Sequence, residues 1–449
     1  MVFSSVLFLL YFLPLFFLGY YLLPKKFKNI FILISSIFFY AWGAPKFIFV
    51  IVGTTILDFF LVRFMYYSAK SWKQKLFLVL SLSMNLGLLF YFKYCNFFVE
   101  NINEALYALG FVELDWTKLI LPIGISFYTF ETVTYVVDVY RRVHAPLKNF
   151  WDYQLYIILF PKLIAGPIIR FHEIADQITD RSKNDTYSFK LSGFNRFVLG
   201  LSKKVLIANV MGSFADTMLG ANPADVSSLA AWLGILAYTF QIYFDFSGYS
   251  DMALGLGMMM GFVFPENFNN PYTAQSITEF WRRWHITLGA WMRNYLYIPL
   301  GGNKVSKMRL YSNLWLVFLA SGFWHGASWN FLIWGAFHGL FLVLERAFLL
   351  DFYKKIPSLI KTLITFLIVM IGWVFFRIEN FDEAIGFISK LFSFNGSSIS
   401  RDILTTESSF IFVLAALFAF FTIIKKGQQI HDWFYAKSHG TKAYISLSL

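Results

Sequence analysis

Three of the seven histidines lie in or beside apolar sequence, namely His285, His325 and His338. An imidazole is costly there unless it is hydrogen-bonded or takes part in chemistry. An ionisable residue inside a membrane-spanning region is therefore a candidate functional residue by default. The other four lie in polar loops or near the C-terminus, where we expect ordinary solvated side chains: His144, His172, His431 and His439.

His325 lies in the sequence SGFWHGASWN, residues 321–330, between two apolar runs. The run before it begins near Tyr311 and has about 14 residues, or about 20 Å of helix, which is shorter than the hydrocarbon core of a bilayer. We therefore expect a turn deep in the membrane that lines a cavity, with Trp324, Trp329 and Asn330 on its wall. A structural histidine bonded to a nearby carbonyl explains His325 equally well at this point.

His338 follows in the sequence WGAFHGL, beside Gly335, Ala336 and Gly339. Small residues let neighbouring helices approach closely. We therefore interpret His338 as a packing residue that makes a hydrogen bond, and not as a catalytic group.

His285 lies in the stretch EFWRRWHITLGAWMRNYLYIPLGG, residues 279–302. Apolar residues recur there at helical spacing: Phe280, Trp284, Leu288 and Trp291. This pattern, beside Arg282 and Arg283, is typical of a basic amphipathic helix at the cytoplasmic interface. Two adjacent arginines suit a phosphate or a carboxylate, and lipid headgroups would serve as well as a substrate.

Two carboxylates precede this stretch, in QIYFDFSGYSDMALG, residues 241–255. Asp245 and Asp251 lie near the inner end of a predicted helix, where we expect them to pair with Arg282 and Arg283. Asp245 is also a candidate for the lining of a passage.

The composition is that of an integral membrane protein. Of 449 residues, 58% are hydrophobic and only 14% are charged, whereas soluble proteins have about 25% charged residues. The net charge of +12 comes from short basic clusters between apolar runs, which favours orientation by positive inner loops over nucleic-acid binding. Cys95 is the only cysteine and is expected to be a small buried residue. The N-terminal apolar run is expected to be a retained first helix and not a cleaved signal peptide.

Long apolar runs without alternation predict an all-α polytopic fold with about eleven spanning helices in one domain over residues 1–449. The predicted helices are 3–23, 30–43, 46–62, 76–97, 119–139, 192–215, 228–247, 311–324, 328–348, 357–376 and 409–425. Segment 153–169 contains Pro161, Gly166 and Pro167, so we expect a broken, re-entrant or interfacial segment. Segment 248–310 is too polar for plain spans. Basic loops place the N-terminus outside and the C-terminus in the cytoplasm.

Few kinds of chemistry fit these residues. Metal-ligand clusters, a GxxxxGK loop, an HExxH pair and a GxSxG elbow are all missing from the sequence. A neutral imidazole is a natural general base near pH 7, so acyl transfer by a membrane histidine is one chemistry that the residues permit. A secondary transporter built from broken helices is the competing class. A non-catalytic scaffold of an export complex is a third.

Several long stretches resemble the membrane-bound O-acyltransferase superfamily, in its bacterial polysaccharide and alginate O-acetyltransferase branch. They include LPIGISFYTFETVTYVVDVYR (121–141), FPKLIAGPIIR (160–170), QIYFDFSGYSDMALGLGMMMGFVFPENFNNPY (241–272), SITEFWRRWHITLGAWMRNYLYIPLGGNK (276–304) and SGFWHGASWNFLIWGAFHGL (321–340). The most distinctive motifs lie between about residues 119 and 345. Glu131 stands where the resemblance leads us to expect Gln, and Asn294 where it leads us to expect Asp.

The resemblance implies a ring of tilted helices around a central passage in the bacterial cytoplasmic membrane. The superfamily's signature histidine matches His325, and the branch's second histidine matches His285. It further implies acetyl transfer from acetyl-CoA, a donor substrate and not a resident cofactor, whose phosphates Arg282 and Arg283 would hold. A periplasmic or extracellular esterase-like partner would complete transfer to an exported polysaccharide. D-alanyl transfer to teichoic acid is the nearest alternative, and the polymer is left open.

Overall fold

The structure, a computed structural model, describes residues 2–221, 226–393 and 405–436. Over these ranges the regular elements are helices and no strand occurs, which confirms the all-α prediction. The helix Lys425–Ala436 covers the first part of the C-terminal tail. The predictions for the His431 side chain and for His439 lie outside the described residues.

Seven helices in the described residues are long and apolar enough to cross a membrane. They are Ile48–Tyr67, Ser71–Ala108, Tyr187–Leu219, Ser228–Met259, Trp329–Tyr353, Ser358–Arg377 and Thr406–Ile423. The count of about eleven is not confirmed. The other four predicted spans are helical but shorter or more polar: Phe8–Leu22, Lys25–Gly43, Ile125–Tyr140 and Lys307–His325.

The chain divides into two compact units. The first unit contains Met1–Thr186 with Leu256–Pro265, and the second contains Tyr187–Gly255 with Glu266–Leu449. The single domain expected over residues 1–449 stays a prediction. Besides the helices named above, the first unit contains Phe150–Ile158, Phe160–Leu163 and Phe171–Thr179. The second unit contains Ile277–Arg283, Ile286–Met292 and Phe381–Leu391.

Segment 153–169 in the first unit is broken, as predicted. The helix Phe150–Ile158 ends at Leu159, and only the single turn Phe160–Leu163 follows. Nearly all of the segment is buried within the first unit, so its irregular backbone is covered by protein, which is the condition for such backbone at membrane depth.

A buried ion pair ties this segment to the helix Ile125–Tyr140. Lys162 donates a hydrogen bond to the Glu131 carboxylate, and neither side chain is more than 1% exposed. The Lys162 ammonium also lies 4.7 Å from the centre of the Tyr156 ring. Glu131, which stands where the resemblance predicts glutamine, therefore forms an ion pair with Lys162.

In the second unit, the helices Lys307–His325 and Trp329–Tyr353 form a tight antiparallel pair, which we call the site hairpin. A Cβ atom on Gly335 would lie 2.3 Å from the Phe318 carbonyl oxygen, and one on Gly322 would lie 2.2 Å from that of Phe331. Only glycine fits at these two contacts because the neighbouring atoms belong to the backbone. The helices therefore pack backbone to backbone next to the turn.

Segment 248–310 differs from its prediction in two ways. The helix that begins at Ser228 continues to Met259, so irregular backbone begins twelve residues later than expected. The predicted amphipathic helix is not continuous either, because it breaks at Trp284 and His285 into Ile277–Arg283 and Ile286–Met292. The apolar positions nevertheless all point inward, since Phe280, Trp284, Leu288 and Trp291 are buried.

Candidate active site

The second unit brings His285 and His325 together. His325 is the last residue of the first hairpin helix, and His285 lies in the break between two seven-residue helices. The centres of the two imidazole rings are 6.4 Å apart. The two histidines that the sequence singled out for chemistry therefore share one site.

Aromatic rings surround both imidazoles. The His325 ring lies 4.9 Å from Trp324 and 5.2 Å from each of Trp334 and Phe376, between ring centres. The His285 ring lies 4.7 Å from Phe246 and 6.1 Å from Trp324. We call these four rings the aromatic cluster. Such a wall is largely apolar, and a low dielectric strengthens electrostatic interactions beside it.

His285 has an unusual backbone conformation. Its φ angle of 43° lies in the left-handed region, which non-glycine residues rarely occupy, although histidine is among those that tolerate it. Asn267 holds the residues after it, because Ile286 N donates to its carbonyl at 3.0 Å and Thr287 Oγ1 to its side-chain oxygen at 2.9 Å. Asn269 N donates to the Arg283 carbonyl at 2.9 Å on the other side. The turn is therefore clamped on both sides.

The His285 imidazole is buried and only 2% exposed. Neither of its ring nitrogens has a hydrogen-bond partner within the described ranges. Burial lowers the pKa of this histidine, which lies outside the seven candidate spans, so the ring is neutral at pH 7. A neutral imidazole with an available lone pair can accept a hydrogen bond or a proton.

The predicted wall residues fall into different places. Trp324 is buried beside both histidines, whereas Trp329 is 58% exposed and lies outside the aromatic cluster. Asn330 is buried and its side-chain amide donates to the Ile378 carbonyl at 2.6 Å, so it links the site hairpin to the end of Ser358–Arg377. The structure brings Trp324 to the histidines, and the lining roles of Trp329, Asn330 and Asp245 stay predictions.

The His325 turn lies where the sequence predicts it, but the helix before it is longer than the expected run of about 14 residues. The helix before it has 19 residues, Lys307–His325, and spans about 28 Å at 1.5 Å per residue. It begins with polar and basic residues that the apolar run did not include, so the short run underestimated the helix.

The expected pairing of the two carboxylates with Arg282 and Arg283 is wrong. Asp245 pairs with Lys204 at 2.8 Å, and Asp251 pairs with Lys203 at 2.7 Å and Arg196 at 2.9 Å. These cations come from the preceding helix Tyr187–Leu219, which lies beside Ser228–Met259. Asp245 and Asp251 therefore have cationic partners other than Arg282 and Arg283.

The two arginines differ from each other. Arg283 donates to Glu279 at 2.6 Å and to Thr273 at 3.0 Å, so its guanidinium is already engaged. Arg282 is exposed and has no ion pair or hydrogen bond in the part of the chain that the structure describes. Arg282 is thus the better placed of the two to bind an anion.

His338 is fully buried against Trp281 and Trp334, whose ring centres lie 5.1 and 5.2 Å from that of the imidazole. A Cβ atom on Gly372 would lie 2.8 Å from its Nε2, so glycine there leaves room for the imidazole. The tight packing is as predicted. The hydrogen bond is not, since neither ring nitrogen has a partner among the described residues.

Two site residues were missed by the sequence argument. Asn267 clamps the His285 turn, and Glu345 accepts hydrogen bonds from the start of the helix Ile277–Arg283. An acidic residue at the end of an apolar run was the available signal for Glu345. Asn267 is one of three asparagines in the sequence ENFNNP, and nothing local distinguishes it from its neighbours.

Known proteins are similar in sequence to this chain over most of its length. The family model of the membrane-bound O-acyltransferase family matches residues 141–378, which include both histidines and the aromatic cluster. A probable alginate O-acetylase AlgI of Pseudomonas aeruginosa is 45% identical over 402 residues, which are 89% of this chain and 76% of the relative. A peptidoglycan O-acetyltransferase of Helicobacter pylori is 38% identical, over 91% of this chain and 82% of the relative.

A teichoic acid D-alanyltransferase of Streptococcus thermophilus is also similar, at 32% identity, but over only 51% of this chain and 57% of the relative. The similarity to O-acetyltransferases is thus both higher and more extensive. With its apolar helices and its two histidines in one aromatic site, the chain belongs to the membrane-bound O-acyltransferase family and is a multi-pass membrane O-acyltransferase.

Proposed function

We propose that this enzyme transfers an acetyl group from cytoplasmic acetyl-CoA across the membrane for O-acetylation of an exported polysaccharide. One observation carries the proposal: His285 and His325 come from different elements and place their rings 6.4 Å apart within an aromatic cluster. The O-acetyltransferase names of the relatives with high coverage support acetyl as the group transferred.

In the proposed reaction His325 is the general base. It accepts the proton of an attacking hydroxyl, the oxygen forms a bond to the acetyl carbonyl carbon, and the carbon–sulfur bond of the thioester breaks. The thiolate of coenzyme A then takes a proton, which the protonated His325 supplies. His285 contributes the neutral imidazole that orients the thioester or relays the proton. General base catalysis of this kind contributes about 10²–10⁴-fold.

The proposed donor site includes Arg282, which is exposed and has no partner in the described ranges. A guanidinium binds phosphate oxygens well because its donors form a planar fork. Arg283 donates hydrogen bonds to Glu279 and Thr273, so we propose that it mainly stabilises this helix. The family resemblance implies that both arginines bind the phosphates of the acetyl-CoA donor.

The proposed setting is the bacterial cytoplasmic membrane, with the N-terminus outside and the C-terminus in the cytoplasm. A separate periplasmic or extracellular acyltransferase of the esterase-like type completes transfer to the polymer. Clusters of lysine and arginine after alternate predicted helices support this orientation.

The test uses full-length protein in proteoliposomes with [¹⁴C]acetyl-CoA, the separate esterase-like acyltransferase on the outer side, and either an alginate oligosaccharide or a peptidoglycan glycan fragment as acceptor. We expect release of coenzyme A together with labelled acceptor. His325→Ala should lower the rate about 10²–10⁴-fold, and His285→Ala should also lower it. His144→Ala is the matched control, because this partly exposed histidine belongs to the first unit and pairs with Asp176 at 3.3 Å.

Three outcomes would contradict the proposal. Wild-type rates in His325→Ala would remove the general base. Movement of the acceptor across the proteoliposome membrane without release of coenzyme A would indicate a transporter. Transfer from a D-alanyl thioester in place of acetyl-CoA would indicate the chemistry of the teichoic acid relatives.

A further inference from the structure

Glu345 is a buried carboxylate within an apolar helix, and among the described residues no cation forms an ion pair with it. It lies on the second hairpin helix, Trp329–Tyr353, and is 1% exposed. No salt bridge to it occurs in the part of the chain that the structure describes. A buried charge without an opposite charge must be stabilised by hydrogen bonds.

The hydrogen bonds to Glu345 all come from the first two residues of Ile277–Arg283. Ile277 N donates to Oε1 at 2.5 Å, and Thr278 donates to Oε2 through its backbone N at 2.9 Å and its hydroxyl at 2.6 Å. The first four N–H groups of a helix have no partner in the preceding turn. Ser276 accepts from the third, on Glu279, and Glu345 from the first two.

The helix that Glu345 holds leads directly to His285. It ends at Arg283, two residues before the histidine, and runs alongside the second hairpin helix in the opposite direction. The contacts follow in that order: Ile277 with Glu345, then Trp281 with His338 at 5.1 Å and with Trp334 at 5.5 Å between ring centres. The site hairpin therefore carries His325 at its turn and also holds the helix that carries His285.

We propose that Glu345 is a positioning residue for His285. Its carboxylate fixes the start of Ile277–Arg283 against the site hairpin and so keeps the His285 ring beside that of His325. Asn267 fixes the residues after His285, so Glu345 and Asn267 hold the segment from its two ends. The consequence for turnover rests on the proposed function, whereas the anchoring does not.

The first arm of the test measures amide hydrogen exchange by mass spectrometry on the full-length protein in nanodiscs. In Glu345→Gln the new side-chain NH₂ faces an N–H donor, so we expect residues 277–283 to lose about tenfold or more of their protection. Thr278→Val removes one of the three bonds and should cause a smaller loss in the same peptide. Thr405→Ala is the matched control, because it removes the hydroxyl that accepts from Ser408 N at 3.1 Å and caps the helix Thr406–Phe420.

The second arm measures acetyl-CoA turnover with the acceptors named above. We expect Glu345→Gln to lower kcat about tenfold or more with little change in the KM for acetyl-CoA, and Thr405→Ala to leave both unchanged. In a His285→Ala background, Glu345→Gln should have no further effect, because both changes disable the same group.

Unchanged exchange over residues 277–283 in Glu345→Gln would overturn the anchoring. Faster exchange with wild-type kcat, or an equal loss of kcat in the His285→Ala background, would overturn the positioning of His285. If the wild-type protein transferred no acetyl group, the proposed function would fail, and the exchange arm would still decide whether Glu345 anchors the helix.

Discussion

The ion pair between Glu131 and Lys162 makes a nearly isosteric substitution costly. Glu131→Gln keeps the shape of the side chain but leaves the Lys162 ammonium, which is fully buried, without its counter-charge. Removing one partner of a buried pair costs about 3–5 kcal/mol, because the remaining charge is uncompensated. The nearby Tyr156 ring offsets little of this, since a cation–π contact contributes about 0.5–2 kcal/mol and is already present.

The assay is equilibrium unfolding of the full-length protein by SDS, followed by circular dichroism. We expect Glu131→Gln and Lys162→Met each to lower the free energy of unfolding by about 3–5 kcal/mol. The double variant should recover most of that loss, since it removes both charges. Asp351→Asn is the control, because Asp351 and Lys354 form a pair that is exposed on both sides, and such pairs contribute about 0–1 kcal/mol.

Two results would refute this reasoning. If Glu131→Gln behaved like Asp351→Asn, the buried pair would not stabilise the first unit. If the double variant were less stable than either single variant, the two side chains would contribute independently and not as a pair.

The remaining predictions concern packing in the second unit. Gly335→Ala places a Cβ atom 2.3 Å from the Phe318 carbonyl oxygen and should destabilise the protein by about 1–3 kcal/mol or more. The control is Gly53→Ala, whose Cβ meets nothing within 4 Å and which should stabilise the protein by up to about 1 kcal/mol. Equal midpoints of the two variants in SDS unfolding would contradict this prediction. His338→Ala leaves a cavity at a fully buried position and should lower the free energy of unfolding by about 2–5 kcal/mol. It should lower acetyl-CoA turnover less than His325→Ala does. An equal loss of turnover in folded protein would mean that His338 takes part in the chemistry.

Features that depend on local sequence were predictable. Gly326 and the polar residues after it place the turn between two apolar runs, and the structure ends one helix at His325 and begins the next at Trp329. The prolines and glycine of segment 153–169 predict a broken segment, and the helix ends at Leu159. In both cases the residues that interrupt the helix also determine where it ends.

The pairing of charges was not predictable, because it depends on which helices become neighbours. The sequence predicted that Asp251 pairs with Arg282 or Arg283, whereas in the structure it pairs with Arg196 and Lys203. The close approach that allows this comes from glycines: a Cβ atom on Gly200 would lie 2.5 Å from the Gly248 carbonyl oxygen. Spacing along one helix does not show which other helix will supply the cation.

The break at His285 shows most clearly what periodicity leaves out. Phe280, Trp284, Leu288 and Trp291 follow helical spacing and are buried, yet the backbone turns left-handed between them at His285. The spacing of apolar residues reports only which side chains are buried. Two short helices can bury the same side chains as one long helix. The turn depends on partners distant in sequence, since Asn267 holds one side and Glu345 holds the start of the preceding helix.

The second unit contains two other buried histidines besides His325, and they differ in where they lie along the contact between Ile277–Arg283 and the site hairpin. His285 and His338 both lack hydrogen-bond partners in the described part of the chain, but their surroundings differ. His338 is enclosed by Trp281, Trp334 and the space left by Gly372, in the middle of the contact between Ile277–Arg283 and the site hairpin. His285 lies at the end of that contact, where its ring faces His325. The clamps act on the backbone around His285 and not on its ring, so neither ring nitrogen has a partner among the described residues. In the proposed function these nitrogens are the ones that orient the thioester or relay the proton.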